Sequence, residues 1–142
     1  MSSSTHLIGD HISGNGKYSD MIAGNDGNLY LVPWVSKQVA LFNPKNNDLH
    51  YIGPEYDGVC KWWAGVFVDN SKIFCSPFQA NGVLVIDTNS CSTELIPLPT
   101  IISLHSNYCK YRACTFDDRG SVVFFRDGGS RIMKVNTDSE IH

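Results

Sequence analysis

Residues 61–88 read KWWAGVFVDNSKIFCSPFQANGVLVIDT, and the same 28-residue unit is written twice more without a gap. It precedes at 17–44 as KYSDMIAGNDGNLYLVPWVSKQVALFNP and follows at 110–137 as KYRACTFDDRGSVVFFRDGGSRIMKVNT, at offsets of 44 and 49 residues. Self-similarity at that period marks a stacked repeat. Each copy opens with a lysine and an aromatic: Lys17-Tyr18, Lys61-Trp62, Lys110-Tyr111. A small or apolar stretch follows at 21–23, 65–67 and 114–116, predicting a first strand. Polar turns at 25–28, 69–72 and 118–121 are rich in residues that tolerate positive φ and close hairpins. Second strands at 29–32, 73–76 and 122–125 are largely β-branched or aromatic. After a loop, third strands at 39–42, 83–86 and 132–135 end at Asn43, Asp87 and Asn136, which are suited to start a turn.

A fourth strand is expected at 49–52 and at 94–96. The third copy shows none, but His6-Leu7-Ile8-Gly9 stands 44 residues before its counterpart His50-Tyr51-Ile52-Gly53. Four short antiparallel strands per unit at this period predict an all-β fold of β-propeller blades, three four-stranded repeats at about 17–54, 61–99 and 110–137 within a single repeat domain, 1–142. A blade cannot bury both faces alone and must stack on neighbours. The N-terminal strand at 5–9 is expected to pair with 132–137 and complete the last blade.

Three blades fall below the four to eight that close a ring. Either two chains form a two-fold dimer of six blades, each N-terminal strand completing its own or its partner's last blade, or the chain is a piece of a longer propeller with exposed apolar faces.

The second copy, from Asn70-Ser71-Lys72-Ile73-Phe74 through Val83-Leu84-Val85-Ile86-Asp87 to Ile96-Pro97-Leu98-Pro99, resembles a kelch-type propeller repeat. The order of turn, second strand, loop, third strand ending in Asp, fourth strand and Pro-containing exit is the kelch one, over nearly the whole chain. The repeats are degenerate: the Gly-Gly pair of kelch repeats is replaced by Pro33-Trp34, Pro77-Phe78 and Arg126-Asp127, and the fourth-strand tryptophan is absent. The resemblance implies a platform that presents loops to a protein partner. A minority, similar to galactose oxidase, are copper enzymes, and fold alone does not choose between the two.

Composition narrows the classes further. Hydrophobic residues make up 42% and charged residues 18%, a globular profile. A net charge of −3 offers no general pull toward nucleic acid or an anionic membrane. The first twenty residues lack the basic start and apolar stretch of a signal peptide, and no apolar run approaches the ~18 residues of a membrane span. A cytoplasmic protein is the simplest expectation. Five cysteines without a CxxC pattern or a Cys/His pair at ligand spacing read as reduced thiols, with no metal and no cofactor expected.

The recurring Lys17, Lys61 and Lys110 sit where one blade passes to the next, near the mouth of the central channel. A ring of lysines there would hold an anionic ligand or acidic peptide; alternatively each lays its stem over the following aromatic and caps the blade. The loops between second and third strands should bring Trp34 and Phe78 to the same face as Tyr18, Trp62, Trp63 and Tyr111, either as a binding surface or as blade packing. Trp34 is the ring expected to be exposed. Lys134 interrupts an apolar strand and implies an acid such as Asp127 or Glu140, or a water-facing edge. Cys75 and Cys114 replace Leu31 and Met21 and read as small core residues. The one His near a thiol is His105, four before Cys109, and nothing marks a nucleophile.

The expectation from sequence is thus a non-enzymatic propeller in protein interaction, with Lys17, Tyr18, Trp34, Lys61, Trp62, Phe78, Lys110 and Tyr111 as its contact face and no catalytic residue. The alternative is a small-ligand, carbohydrate or catalytic site at the channel mouth.

Overall fold

The computed structural model describes residues 3–8, 16–99, 110–117, 119–125 and 132–137. The first unit contains β1 (Tyr18–Ala23), β2 (Leu29–Pro33), β3 (Val39–Asn43) and β4 (Asp48–Ile52). The second contains β5 (Trp62–Val68), β6 (Lys72–Pro77), β7 (Gly82–Asp87) and β8 (Ser92–Pro97); the third, β9 (Ala113–Phe116), β10 (Ser121–Phe125) and β11 (Met133–Asn136). Each unit is one antiparallel meander, ordered β1-β2-β3-β4, β5-β6-β7-β8 and β9-β10-β11. Every strand expected between residues 17 and 137 is present, and the third sheet has three strands among the described residues.

The hairpin turns explain how one pattern gives the same strands three times. Gly27, Ser71 and Gly120 occupy one repeat position and all have positive φ (84°, 66° and 88°), the geometry that turns a strand back on itself. In the first turn the Asp26 carboxylate accepts from the Asn28 amide at 3.0 Å and from the Tyr30 hydroxyl at 2.5 Å, tying the turn to β2.

The core lies between the sheets, in two layers. Alternate residues of a strand point to opposite faces, so β6 and β7 serve both layers at once. Ile73, Cys75, Leu84 and Ile86 pack on Tyr30, Val32, Val39 and Leu41 of the first sheet. Phe74, Val83 and Val85 pack on Val122, Phe124, Met133 and Val135 of the third. Cys75 and Cys114 are core residues, as their repeat positions predict. The first strands β1, β5 and β9 are neighbours across the sheets, so the sheets radiate from a common line. Polar bonds also cross the junctions: Gly65 N donates to Asp20 Oδ2 at 3.0 Å, Asn25 Nδ2 to Ser71 Oγ at 2.8 Å, and Ser76 Oγ to Arg112 O at 2.8 Å.

Residues 3–8 form no strand, and Leu7 and Ile8 are exposed. The expected pairing of 5–9 with 132–137 is therefore not made by residues 5–8, and Gly9 lies outside the described residues. A four-residue strand added to one edge recovers little of its ordering entropy unless another blade covers its side chains. Lys134 lies on the edge strand β11, faces water and stands 3.9 Å from Asp117. Its acid is thus Asp117, while Asp127 and Glu140 lie outside the described residues.

Candidate functional site

The residues that recur at the start of each repeat form a belt across the three sheets. The Lys17 carbonyl accepts from the Trp34 amide at 2.9 Å, and the Trp34 carbonyl accepts from the Lys61 amide at 3.1 Å. One blade further on, the Lys61 carbonyl accepts from Phe78 N at 2.8 Å and the Phe78 carbonyl from Lys110 N at 2.7 Å. Lys61 thereby locks the loop after the second strand of its own blade and hangs on the loop of the blade before; Lys17 makes the first of these links and Lys110 the second.

The side chains repeat the pattern. Lys61 Nζ donates to Val35 O at 3.3 Å and Gly58 O at 2.8 Å, and Lys110 Nζ donates to Gln79 O at 2.9 Å. Val35 and Gln79 are the same repeat position. Both lysines are buried at 2% exposure, and burial lowers their pKa; for Lys61 the nearby Asp57 works the other way. The aromatic after each lysine anchors its own blade: Tyr18 OH donates to Gln38 O at 3.1 Å and Trp62 Nε1 to Gly82 O at 2.9 Å, again equivalent positions. Burial raises the Tyr18 pKa against the effect of the Ser36 hydroxyl. Tyr111 is buried, edge-on to Phe124 at 6.2 Å.

Lys61, Trp62, Lys110 and Tyr111 are therefore buried framework, and Tyr18 is half-buried in the same role. The water-facing lysine ring is not formed by Lys61 and Lys110, because their ammonium groups are spent on carbonyls of the preceding blade. What the structure brings together instead lies one residue later. Ser19, Trp63 and Arg112 share the third position of the repeat. Ser19 Oγ donates to Trp62 O at 2.6 Å, whereas Trp63 and Arg112 reach outward.

Trp34, Trp63 and Phe78 form a three-ring cluster with centroid separations of 5.1 to 5.3 Å. The Arg112 guanidinium lies over it, 5.3 Å from the Trp63 ring and 5.8 Å from Phe78. Phe78 is the buried floor and Trp34 is half-buried, not the free ring expected. Trp63 is 40% exposed and Arg112 is exposed. The sequence reading missed Arg112. Its signal was the repeat position it shares with Trp63, obscured because the three residues there share no chemistry.

A second concavity of about 650 Å³ lies beside Tyr56, Val59, Trp62, Asn81, Leu95 and Pro97 on the second blade. Burial disfavours a thiolate at Cys75 and Cys114, raising the pKa of the first and pushing that of the second up to about 12. His105 and Cys109 lie outside the described residues. Among the described residues there is no group of three His, Cys, Asp or Glu side chains suited to a metal, and no helix long and apolar enough to cross a membrane.

No family profile and no curated protein matches the sequence. Solved structures do. Virginiamycin B lyase from Staphylococcus aureus matches with a TM-score of 0.70 at 14% identity over 89% of this chain and 40% of its own. A streptogramin B lyase matches with a TM-score of 0.72 at 15% identity over 95% of this chain and 42% of its own. A protein of unknown function from Bacteroides thetaiotaomicron matches with a TM-score of 0.65 at 17% identity over 96% and 33%. The chain spans 33–42% of the length of these structures. At these identities the likeness shows the fold alone: an all-β partial propeller of stacked antiparallel blades.

Proposed function

We propose that this chain is a binding module that takes an acidic, aromatic-containing segment of a protein partner on the Trp34, Trp63, Phe78 and Arg112 patch, and that it is not an enzyme. The observation that carries this reading is the Arg112 guanidinium over the Trp63 and Phe78 rings, on a patch that is partly open to water. Tryptophan, tyrosine and arginine are the side chains that most often dominate binding energy at interfaces. The guanidinium sets a positive charge against the rings, which favours an acidic segment, and the Trp63 ring offers a flat apolar contact. The rings are held by the belt beneath them, so little ordering entropy is lost on binding. The kelch resemblance of the repeats supports the same role. Two of the structural neighbours are lyases by name, but the likeness to them carries no residue of an active site onto this chain.

Titration with a short peptide of Asp, Glu and Phe or Tyr, followed by tryptophan fluorescence, tests the reading. Saturable quenching is expected, weakened at least tenfold by Arg112→Ala and by replacing the peptide's acids with amides. Equal binding of the acidic and amide peptides would overturn it. The second reading, a small ligand or carbohydrate, is favoured by the 650 Å³ concavity, which falls in the size range of ligand pockets. Quenching by a free sugar, unaffected by Arg112→Ala, would select it.

A further inference from the structure

One end of the second blade is hollow where the same end of the first is filled. In a four-stranded antiparallel meander the starts of the first and third strands lie together with the ends of the second and fourth. In the first blade that end holds Ser36, whose hydroxyl donates to Tyr18 OH at 2.9 Å, and Gln38, whose Nε2 donates to Gly53 O at 2.9 Å. The same repeat positions in the second blade are Ala80 and Gly82, too short to reach across, and the concavity of about 650 Å³ lies there. Tyr56 and Val59, from the connection between the two blades, wall one side of it, and Leu95 and Pro97 of β8 wall the other. The connection is held in place. Tyr56 N donates to Lys37 O at 2.7 Å, the Tyr56 and Thr93 hydroxyls share a hydrogen bond of 2.7 Å, and Lys61 Nζ donates to Gly58 O at 2.8 Å. The trough is therefore preformed, so little ordering is lost when it is filled.

The lining defines what fits. Its walls are mainly apolar and its two charges are answered, Lys61 by the Val35 and Gly58 carbonyls and Asp57 by Lys37 at 3.6 Å. What remains is a pair of exposed carboxamides, Gln79 and Asn81, whose side chains make no hydrogen bond among the described residues. Each offers a donor and an acceptor, the complement of a peptide unit. Trp62 is 1% exposed and its N–H is spent on Gly82 O, so no open aromatic face awaits a sugar. Val59 and Leu95 are 56% and 46% exposed, which leaves the trough open along its side. A small ligand is held by enclosure, whereas an open trough suits a chain that crosses it. Gln79 follows Phe78, the floor of the ring cluster, and Lys61 stands two residues before Trp63, so trough and patch adjoin at one end of the stack. We infer that the partner segment bound at Arg112 runs outward over Gln79 and Asn81 and seats an aliphatic side chain in this trough, an inference that rests on the patch being a peptide site. The patch stands over the first strands and the trough reaches the fourth. Three strand spacings of about 4.8 Å make about 14 Å, the reach of about four extended residues, so the anchor stands about four positions from the acid.

The test is titration with two extended peptides, each joining the acidic aromatic core to Leu-Leu through a Gly-Ser spacer that sets the leucines about four residues from the acid, at the N-terminal end in one and the C-terminal end in the other. One of them is expected to bind roughly tenfold tighter than its Ser-Ser counterpart, the scale of burying one leucine side chain. Leu95→Asp, at an exposed position of the edge strand β8, is expected to abolish that gain while leaving far-UV dichroism and affinity for the core peptide unchanged. Val59→Asp repeats the test from the opposite wall. An extension that adds nothing in either direction, or a gain that survives both variants, overturns the inference. Maltose binding that is lost in Leu95→Asp also overturns it, because the trough is then a sugar site. Failure of the core peptide itself takes the reading of the patch with it, whereas a core peptide that binds with an indifferent extension removes the anchor alone.

Discussion

The ammonium of Lys110 donates to the Gln79 carbonyl at 2.9 Å across the junction of the second and third blades, where Lys61 reaches Val35 across the junction before it. A hydrogen bond from a charged donor contributes about 1.5–3 kcal/mol. Lys110→Met keeps most of the stem and removes the donor, so a loss of that order is expected in urea denaturation at pH 7. The pH dependence has a definite sign. Burial lowers the folded-state pKa, so the unfolded chain binds the proton more tightly as pH rises toward 10.5. The native protein should therefore gain stability relative to Lys110→Met between neutral pH and that value. A stability gap that shrinks with rising pH would contradict the burial described.

Tyr30 carries the opposite dependence. Burial, and then the hydrogen bond to the Asp26 carboxylate, raise its pKa well above the ordinary 10.0. For Asp26 burial works upward, but the bonds from Tyr30 and Asn28 outweigh it and hold the carboxyl below its usual value. The stability that the Tyr30 proton confers is complete below pH 10 and is lost as pH rises above it. Tyr30→Phe should lower stability by about 1 kcal/mol at pH 7 and flatten the decline above pH 10. An equally steep alkaline decline in Tyr30→Phe would assign that decline to other groups.

Strands were legible because each blade repeats the same alternation and the same turn position; Gly27, Ser71 and Gly120 mark it with φ values that the residue types only partly announce. The lysines were legible as recurrent but not as buried. Whether a lysine lies on water or on a carbonyl depends on the loop of the preceding blade, which stands 26 residues earlier for Lys61 and 31 for Lys110. Arg112 was illegible for a related reason. A guanidinium declares a role only when rings from elsewhere in the chain, Trp63 and Phe78, are placed under it.

Cys60 sits at φ 53° at the position where the first repeat has Gly16, at φ 56°. A side chain with a Cβ is strained there by about 1–2 kcal/mol, and a β-branched one more so. Cys60→Gly is expected to leave stability unchanged or raise it by up to about 1 kcal/mol, and Cys60→Val to lower it by about 1–2 kcal/mol. Thermal melts of the two variants side by side check this. Equal melting temperatures would mean that the junction before Lys61 relaxes to another backbone conformation.

Trp34 joins framework and patch. Its backbone amide and carbonyl are links of the belt, bonded to Lys17 O and Lys61 N, while its ring stands against Trp63 and Phe78. Trp34→Ala keeps both backbone bonds and removes the ring. The fold should persist, with unchanged far-UV dichroism and a stability loss of about 1.5–3 kcal/mol, less than for a fully buried aromatic because Trp34 is only half-buried. Binding of the acidic peptide should weaken at least tenfold, since Trp63 loses one of the rings that hold it under Arg112. Loss of the sheet signal would make Trp34 a framework residue like Trp62. Unaltered peptide affinity would confine the contact surface to Trp63 and Arg112.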